Sequence, residues 1–289
     1  MRPFEYAAPA STQEAVALLA EHGERARVLG GGTDLIVDLK HKPGSVAMLV
    51  DVTAIPELLG IEETDEGLRI GAMVKYGEIM ESPICNELTP EIVAASHTVG
   101  AVQTRNLGTI GGNLVTCVPS ADSAPSLLVL DAEVTIAGND GSRRVPLQNF
   151  FVGPRKTCLE PYELLVDIWI PKANLGKPSK FLKFGLRKGQ ALALVNAAAA
   201  LYLDKQGAIF EPRIALGAVA PVPMRATKAE AHLAGKKPTE ALLHEAAEIA
   251  VTECKPIDDF RASANYRRQL VRTMTYRTLQ RSVEIASQR

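Results

Sequence analysis

The chain has 289 residues, 32 Lys and Arg against 33 Asp and Glu, and 46% hydrophobic residues. That length supports two or three units of ordinary domain size, and the near-neutral balance excludes the basic footprint of a nucleic-acid binder. No apolar run reaches 18 residues, so no membrane-spanning helix is expected.

The opening Met1-Arg2-Pro3-Phe4-Glu5-Tyr6 lacks an apolar signal core, which predicts a cytoplasmic protein. Phe4 to Ala7 reads as a short strand. Ser11-Thr12-Gln13-Glu14 is a capping box, and the helix it opens stops at Gly23. Arg27 to Leu29 is a strand that runs into Gly30-Gly31-Gly32. Thr33 or Asp34 can cap the next helix, which ends before Pro43, and Met48 to Val52 is a further strand. Residues 57–172 have a different texture. Leu59 to Glu62 and Leu68 to Ala72 flank a hairpin turn, as do Glu133 to Ala137 and Arg143 to Val145. Lys75 to Met80 is a short helix ended by Pro83, and Thr89-Pro90-Glu91 starts another that ends near Gly100. Residues 101–122 carry Gly-Gly and Pro breaks and read as ordered loop. Leu127 to Leu130 closes a helix, and Glu163 to Ile170 is a strand ended by Pro171. From Ala173 onward, Lys180 to Arg187 is a strand and Ala193 to Leu203 a buried strand or helix. Arg213 to Val219 favours a meander. Helices follow at Ala226 to Leu233, Thr239 to Thr252 and Ser263 to about Ser287.

Two stretches carry chemistry. In Leu29-Gly30-Gly31-Gly32-Thr33-Asp34-Leu35 a strand gives way to backbone N–H groups and then a helix N-terminus, an arrangement that suits a pyrophosphate. Its spacing is not GxGxxG, and only Asp51 approximates the acidic partner of a Rossmann site, so a nicotinamide fold is disfavoured. Thr109-Ile110-Gly111-Gly112-Asn113, continuing to Thr116 and Asp122, adds hydroxyl, amide and carboxylate groups beside two glycines. A flexible turn and a polar surface loop are the bland alternatives. Two glycine turns some eighty positions apart suggest one extended ligand held from two sides.

Other residues point less far. Cys85, Cys117, Cys158 and Cys254 form no CxxC pair, which argues against an iron–sulfur cluster or structural zinc and for buried free thiols. His97 reads as a packed or capping histidine. The arginines at 261, 267, 268, 272, 277 and 281 read as a solvated helix face, with a subunit contact as second choice.

Leu29 to Leu35 and Thr109 to Asn113 resemble the two flavin motifs of the FAD-binding medium subunit of molybdenum hydroxylases, the xanthine oxidase and carbon monoxide dehydrogenase family. The likeness includes Phe4-Glu5-Tyr6, Arg105-Asn106-Leu107-Gly108, Phe181-Leu182-Lys183, Arg187-Lys188 and Ala264-Asn265-Tyr266-Arg267-Arg268, and covers essentially the whole chain. It implies an α+β protein: a two-lobed vanillyl-alcohol-oxidase (PCMH)-type FAD-binding fold, with lobes at 1–56 and 57–172. A carbon monoxide dehydrogenase flavoprotein-like domain at 173–289, a small antiparallel sheet with helices, would follow. It implies that Gly30, Gly31, Gly32, Thr33 and Asp34 wrap the FAD pyrophosphate by backbone amides, with Leu29 and Leu35 also among the cofactor-binding residues. Thr109, Gly112, Asn113 and Thr116 would hold the phosphate and ribityl portion, and Asp122 a cofactor hydroxyl. Leu165 and Lys183 match positions near the flavin ring.

The resemblance further implies partners: a large molybdopterin-binding subunit and a small [2Fe-2S] subunit in a heterotrimer, which can itself dimerise. Electrons would reach the FAD from the iron–sulfur clusters and leave to an external acceptor. A stand-alone FAD oxidoreductase and a non-redox nucleotide-binding scaffold are the alternatives.

Overall fold

The computed structural model describes residues 3–42, 44 and 46–289. Pro43, invoked above as a helix stop, and Met1 and Arg2 of the opening lie outside the described residues. The chain begins β1 (Glu5–Ala7), α1 (Thr12–His22), β2 (Ala26–Leu29), α2 (Leu35–His41), β3 (Met48–Asp51). A helical crossover returns each strand in the same direction, so the sheet is parallel, in the order β1-β3-β2. Ser11 Oγ accepts from Glu14 N at 3.2 Å, and the Glu14 carboxylate reaches back to Ala10 N at 2.8 Å. Asp34 occupies the N-cap position of α2, but its carboxylate makes no capping bond. Its backbone is already helical, whereas a capping side chain needs an extended backbone to fold over the first turn.

The second unit is built on a five-stranded antiparallel sheet. Its first hairpin is β4 (Ile61–Glu63) and β5 (Gly67–Gly71). Then come α3 (Tyr76–Glu81), α4 (Pro83–Leu88), α5 (Pro90–His97), α6 (Val102–Arg105), α7 (Ile110–Thr116) and α8 (Ala124–Val129). Pro83 therefore starts a helix rather than only ending one: its missing N–H is harmless in a first turn. The expectation of loop over residues 101–122 is also corrected. Gly111 and Gly112 lie in the first turn of α7, which Thr109 caps by accepting from Gly112 N at 3.1 Å. Ile110 N and Gly111 N donate to Val74 O and Ala72 O, so tertiary bonds outweigh the poor helix propensity of glycine. Next follow β6 (Glu133–Gly138), β7 (Gly141–Pro146), α9 (Leu147–Phe150), the small hairpin β8 (Phe151–Gly153) and β9 (Lys156–Thr157), and β10 (Leu164–Pro171). Strand order is β4-β5-β10-β6-β7. Helix α1 packs between the two sheets, and Val16 and Leu19 share one core with Ile70, Val134 and Ile168.

The third unit is an antiparallel sheet, β11 (Ser179–Gly185), β12 (Ala193–Leu203), β13 (Ile209–Gly217) and β14 (Met224–Arg225), followed by α10 (Thr227–Leu233), α11 (Glu240–Glu253) and α12 (Ala264–Ala286). The alanine run is a strand covered on both faces. Ala198 and Ala200 join the core of the first two units, while Val195, Ala197, Ala199 and Leu201 join the core beneath α10, α11 and α12. Alternation along a strand assigns these faces. Small side chains let α8 pack on one side and α12 on the other. Arg267 departs from the solvated-face reading: it is 2% exposed and donates to Leu194 O and to Asp259. Arg268, Arg277 and Arg281 are exposed as expected.

Candidate functional site

The two glycine stretches meet. A Cβ on Gly31 would fall 2.0 Å from the Leu107 carbonyl oxygen. One on Gly30 would lie 3.6 Å from Thr109 Oγ1, and one on Gly108 3.7 Å from Thr33 Oγ1. Gly31 thus has a structural reason to be glycine, because the backbone of the second stretch occupies the space a side chain would fill. Gly32 has φ +69°, a conformation that costs glycine nothing. Gly112 differs: besides its own cap hydroxyl at 2.8 Å, nothing lies within 4 Å of its Cβ position.

Hydrogen bonding separates the two stretches further. Among the described residues, none of the backbone N–H groups of Gly30, Gly31, Gly32, Thr33, Asp34 and Leu35 donates to the protein. The corresponding groups of Ile110, Gly111 and Gly112 are all consumed, by Val74 O, Ala72 O and Thr109 Oγ1. Six successive unspent donors form a cradle for an anion, since each must otherwise find water. The second stretch contributes clearance and side chains. Asn113 Oδ1 accepts from Ser123 Oγ at 3.1 Å, and Thr116 Oγ1 donates to Gly112 O at 2.8 Å.

The third unit closes the site. Lys183 on β11 and Asn196 on β12 are cross-strand partners. Lys183 Nζ meets Asp122 Oδ2 at 2.6 Å and Thr98 O at 2.9 Å, and Asn196 Nδ2 lies 3.3 Å from Asp122 Oδ1. Burial pushes the Asp122 carboxyl up to about 6, against the lowering effects of Lys183 and of the Asn196 hydrogen bond. Asp34 and Asp122 both act electrostatically on Tyr76, so the first loop and the Asp122 cluster belong to one region. Beside Lys183 opens a cleft of about 480 Å³ whose wall includes His97, Thr98, Phe184, Leu186 and Arg187. His97 is exposed on this wall rather than packed. Leu165 is 3% exposed within the core, opposite Ile136 in the sheet, and is not part of the cleft wall.

Sequence reasoning missed Asn196, Tyr76 and Ser123. Asn196 left a signal, as the lone polar residue in Ala193-Leu194-Val195-Asn196-Ala197-Ala198. Tyr76 and Ser123 left none, because their roles depend on contacts 47 positions apart. Asp51 is occupied locally, accepting from the Tyr6 hydroxyl and from Thr53. Among the described residues, no group of three His, Cys, Asp or Glu side chains is placed to hold a metal.

The residues present fit a phosphate-bearing ligand: an uncharged amide cradle, a glycine clear of protein, and polar side chains beyond. Comparisons with known proteins agree. The family model for the FAD binding domain in molybdopterin dehydrogenase matches residues 2–173, and that for the CO dehydrogenase flavoprotein C-terminal domain matches residues 180–282. The carbon monoxide dehydrogenase medium chain of Hydrogenophaga pseudoflava is 34% identical over 96% of this chain and 96% of its own length. The xanthine dehydrogenase FAD-binding subunit of Escherichia coli O157:H7 is 33% identical over 97% and 96%. A structure of the Hydrogenophaga pseudoflava carbon monoxide dehydrogenase, lacking the Mo-pyranopterin moiety of the molybdenum cofactor, superimposes with a TM-score of 0.94 at 34% identity. It covers 99% of each chain. Quinoline 2-oxidoreductase from Pseudomonas putida 86 gives 0.91 at 32% identity, covering 99% of this chain and 98% of its own.

Proposed function

This chain belongs to the FAD-binding medium subunits of the molybdenum hydroxylases, and from that premise we propose that it relays electrons within a heteromeric dehydrogenase. It is an oxidoreductase subunit with an FAD-binding domain. In our reading a large molybdopterin-binding partner oxidises the substrate. A small partner with [2Fe-2S] clusters delivers the electrons to this chain, and an external acceptor takes them away. Bound FAD supplies the redox chemistry, and the protein supplies its position and electrostatic surroundings.

The observation that carries this reading is the row of unspent backbone donors from Gly30 to Leu35. We assign them, with Leu29 at the entry, to the pyrophosphate. We assign Thr109, Gly112, Asn113 and Thr116 to the adjoining phosphate and ribityl portion, and Asp122 to a cofactor hydroxyl held in place by Lys183 and Asn196. Lys183 stands beside the cleft, to which we assign the ring system. We assign Leu165, which is buried in the core and absent from the cleft wall, a place behind the ring. We propose boundaries near 56 and 172 for the lobes, in keeping with a site assembled where three units converge. Four free cysteines, three of them buried, suit work in a reducing cytoplasm, and no described helix is long and apolar enough to cross a membrane.

The test is reconstitution. The purified chain should carry one FAD that acid precipitation releases entirely into the supernatant. Alone it should hydroxylate neither N-heterocycles, aldehydes nor carbon monoxide, and NADH should reduce it slowly at most. Activity should appear when iron–sulfur and molybdenum subunits are co-expressed with it. Substrate hydroxylation by the single chain, with molybdenum shown to be absent, would overturn the proposal.

A further inference from the structure

A buried hydrogen-bond chain runs from the core of the second unit to the site. Tyr76, on α3, is 1% exposed, and its hydroxyl lies 3.0 Å from Ser123 Oγ. Ser123 is fully buried, and its Oγ lies 3.1 Å from Asn113 Oδ1. Ser123 occupies the N-cap position of α8, where a serine hydroxyl ordinarily accepts from the helix's own first turn. Here it makes no capping bond. It is turned toward Asn113 instead.

Proton counting fixes the direction of this chain. The Tyr76 hydroxyl has no other partner among the described residues, so if it accepted from Ser123 its own proton would be buried and unsatisfied. It therefore donates to Ser123. Ser123, having accepted from Tyr76, spends its single proton on Asn113, which must present its carbonyl oxygen. Reversing the Asn113 amide would place an N–H donor against Ser123 Oγ and leave the Ser123 proton without a side-chain acceptor among the described residues. The amide orientation is thus set from inside the fold. Asn113 Nδ2, which has no hydrogen-bond partner among the described residues, is held as a donor on the half-buried side. Burial pushes the Tyr76 hydroxyl above its ordinary range, against the lowering effect of the Ser123 hydrogen bond and with a smaller push from the Asp122 and Asp34 charges, so it stays protonated.

We infer that Tyr76 and Ser123 are positioning residues that lock the Asn113 amide as a hydrogen-bond donor toward an acceptor oxygen of the bound flavin nucleotide. The inference rests on the cofactor assignment above and adds a directed chain of three side chains to it. Neither Tyr76 nor Ser123 touches the ligand in this scheme. Both act through Asn113.

The test is an FAD titration of the full chain stripped of flavin, followed by fluorescence quenching. It compares the wild type with Tyr76→Phe, Ser123→Ala, Asn113→Ala, Asn113→Asp and the double variant Tyr76→Phe/Asn113→Ala. Thermal unfolding of each flavin-free protein runs alongside. Tyr76→Phe and Ser123→Ala should each weaken FAD binding about three- to tenfold, the range of one net hydrogen bond. Tyr76→Phe should cost nothing further in the Asn113→Ala background. Asn113→Asp, which still accepts from Ser123 but cannot donate, should bind FAD no better than Asn113→Ala. Equal losses from Tyr76→Phe with and without Asn113 would show a general packing effect and overturn the inference, as would unchanged affinity in both Tyr76→Phe and Ser123→Ala. If Asn113→Ala itself leaves affinity unchanged, the assignment of the site falls, and the inference with it.

Discussion

Glycines of identical appearance in the two stretches meet different neighbours, and the neighbour decides what a substitution does. At Gly31 the obstacle is the Leu107 carbonyl, which is backbone and cannot swing aside. At Gly111 it is Ala72, again with backbone within 2.9 Å. At Gly112 it is only the Thr109 hydroxyl that caps α7. Gly31→Ala should therefore push the two loops apart and cost about 1–3 kcal/mol, the usual penalty for overpacking. FAD affinity should fall with it, because the same displacement opens the amide cradle. Gly112→Ala should cost less than Gly31→Ala, at most about the 0.5–2 kcal/mol of a disturbed cap. It should still weaken FAD binding, since the methyl group intrudes where the protein leaves space. Urea unfolding of the flavin-free variants, paired with FAD titration, separates the two cases. Gly31→Ala with wild-type stability would contradict the packing account of that position.

Strand β12 shows how one element can serve two cores and the site together. Its even-numbered residues Asn196, Ala198 and Ala200 face the first two units, and its odd-numbered ones face α12. Ala198→Val and Ala199→Val should each destabilise by about 1–3 kcal/mol, because neither side has room for added methyl groups. Only Ala198→Val should also loosen FAD, since it lifts β11 and β12, with Lys183 and Asn196, away from Asp122. Equal flavin retention by the two variants at matched stability would sink that distinction. The same strand marks the reach of sequence reasoning. Its apolar run left strand and helix equally open, because periodicity vanishes when both faces are buried. Helix α1 and the first hairpin announced themselves through Ser11, Gly23 and the Thr64 to Gly67 turn, whose hydrogen bonds are local. Helix α7 did not, because Gly111-Gly112 signals a break unless Val74 and Ala72 are known to supply acceptors. The glycine loops were legible for a related reason: close approach of backbone needs glycine and so writes itself into the chain. Asp122 could be read from the polar groups of its own stretch, but Lys183 was named only through the family resemblance, and their ion pair spans 61 positions.

Over the whole molecule the units are joined by apolar packing and by a buried ionic knot, which predicts that they unfold together. Helices α5 and α8 of the second unit pack on β11 and β12 of the third. At the end of α8, Asp131 accepts from Arg225 at 2.6 Å and from Arg213 at 3.0 Å. Arg225 also grips Glu230 through two bonds of 2.5 and 2.7 Å, and Glu230 accepts from Ile214 N at 2.8 Å. The side chains of Arg225 and Glu230 are only 11% and 10% exposed. A pair this deep adds little net stability over apolar residues of the same shape, but breaking it strands a charge. Arg225→Met leaves Glu230 buried without its guanidinium and Asp131 without its closer partner. It should cost about 3–5 kcal/mol, a large share of the 5–15 kcal/mol that holds a typical domain together. Because the knot sits on the seam, the loss should lower one common midpoint rather than detach the third unit. Saturating FAD should recover part of it: at a hundred times the dissociation constant, mass action contributes about 2.7 kcal/mol. Calorimetry and flavin fluorescence on the same heating ramp provide the check. A second, separate transition in Arg225→Met, with flavin released in only one of the two, would mean that the units are energetically independent and that the seam couples nothing.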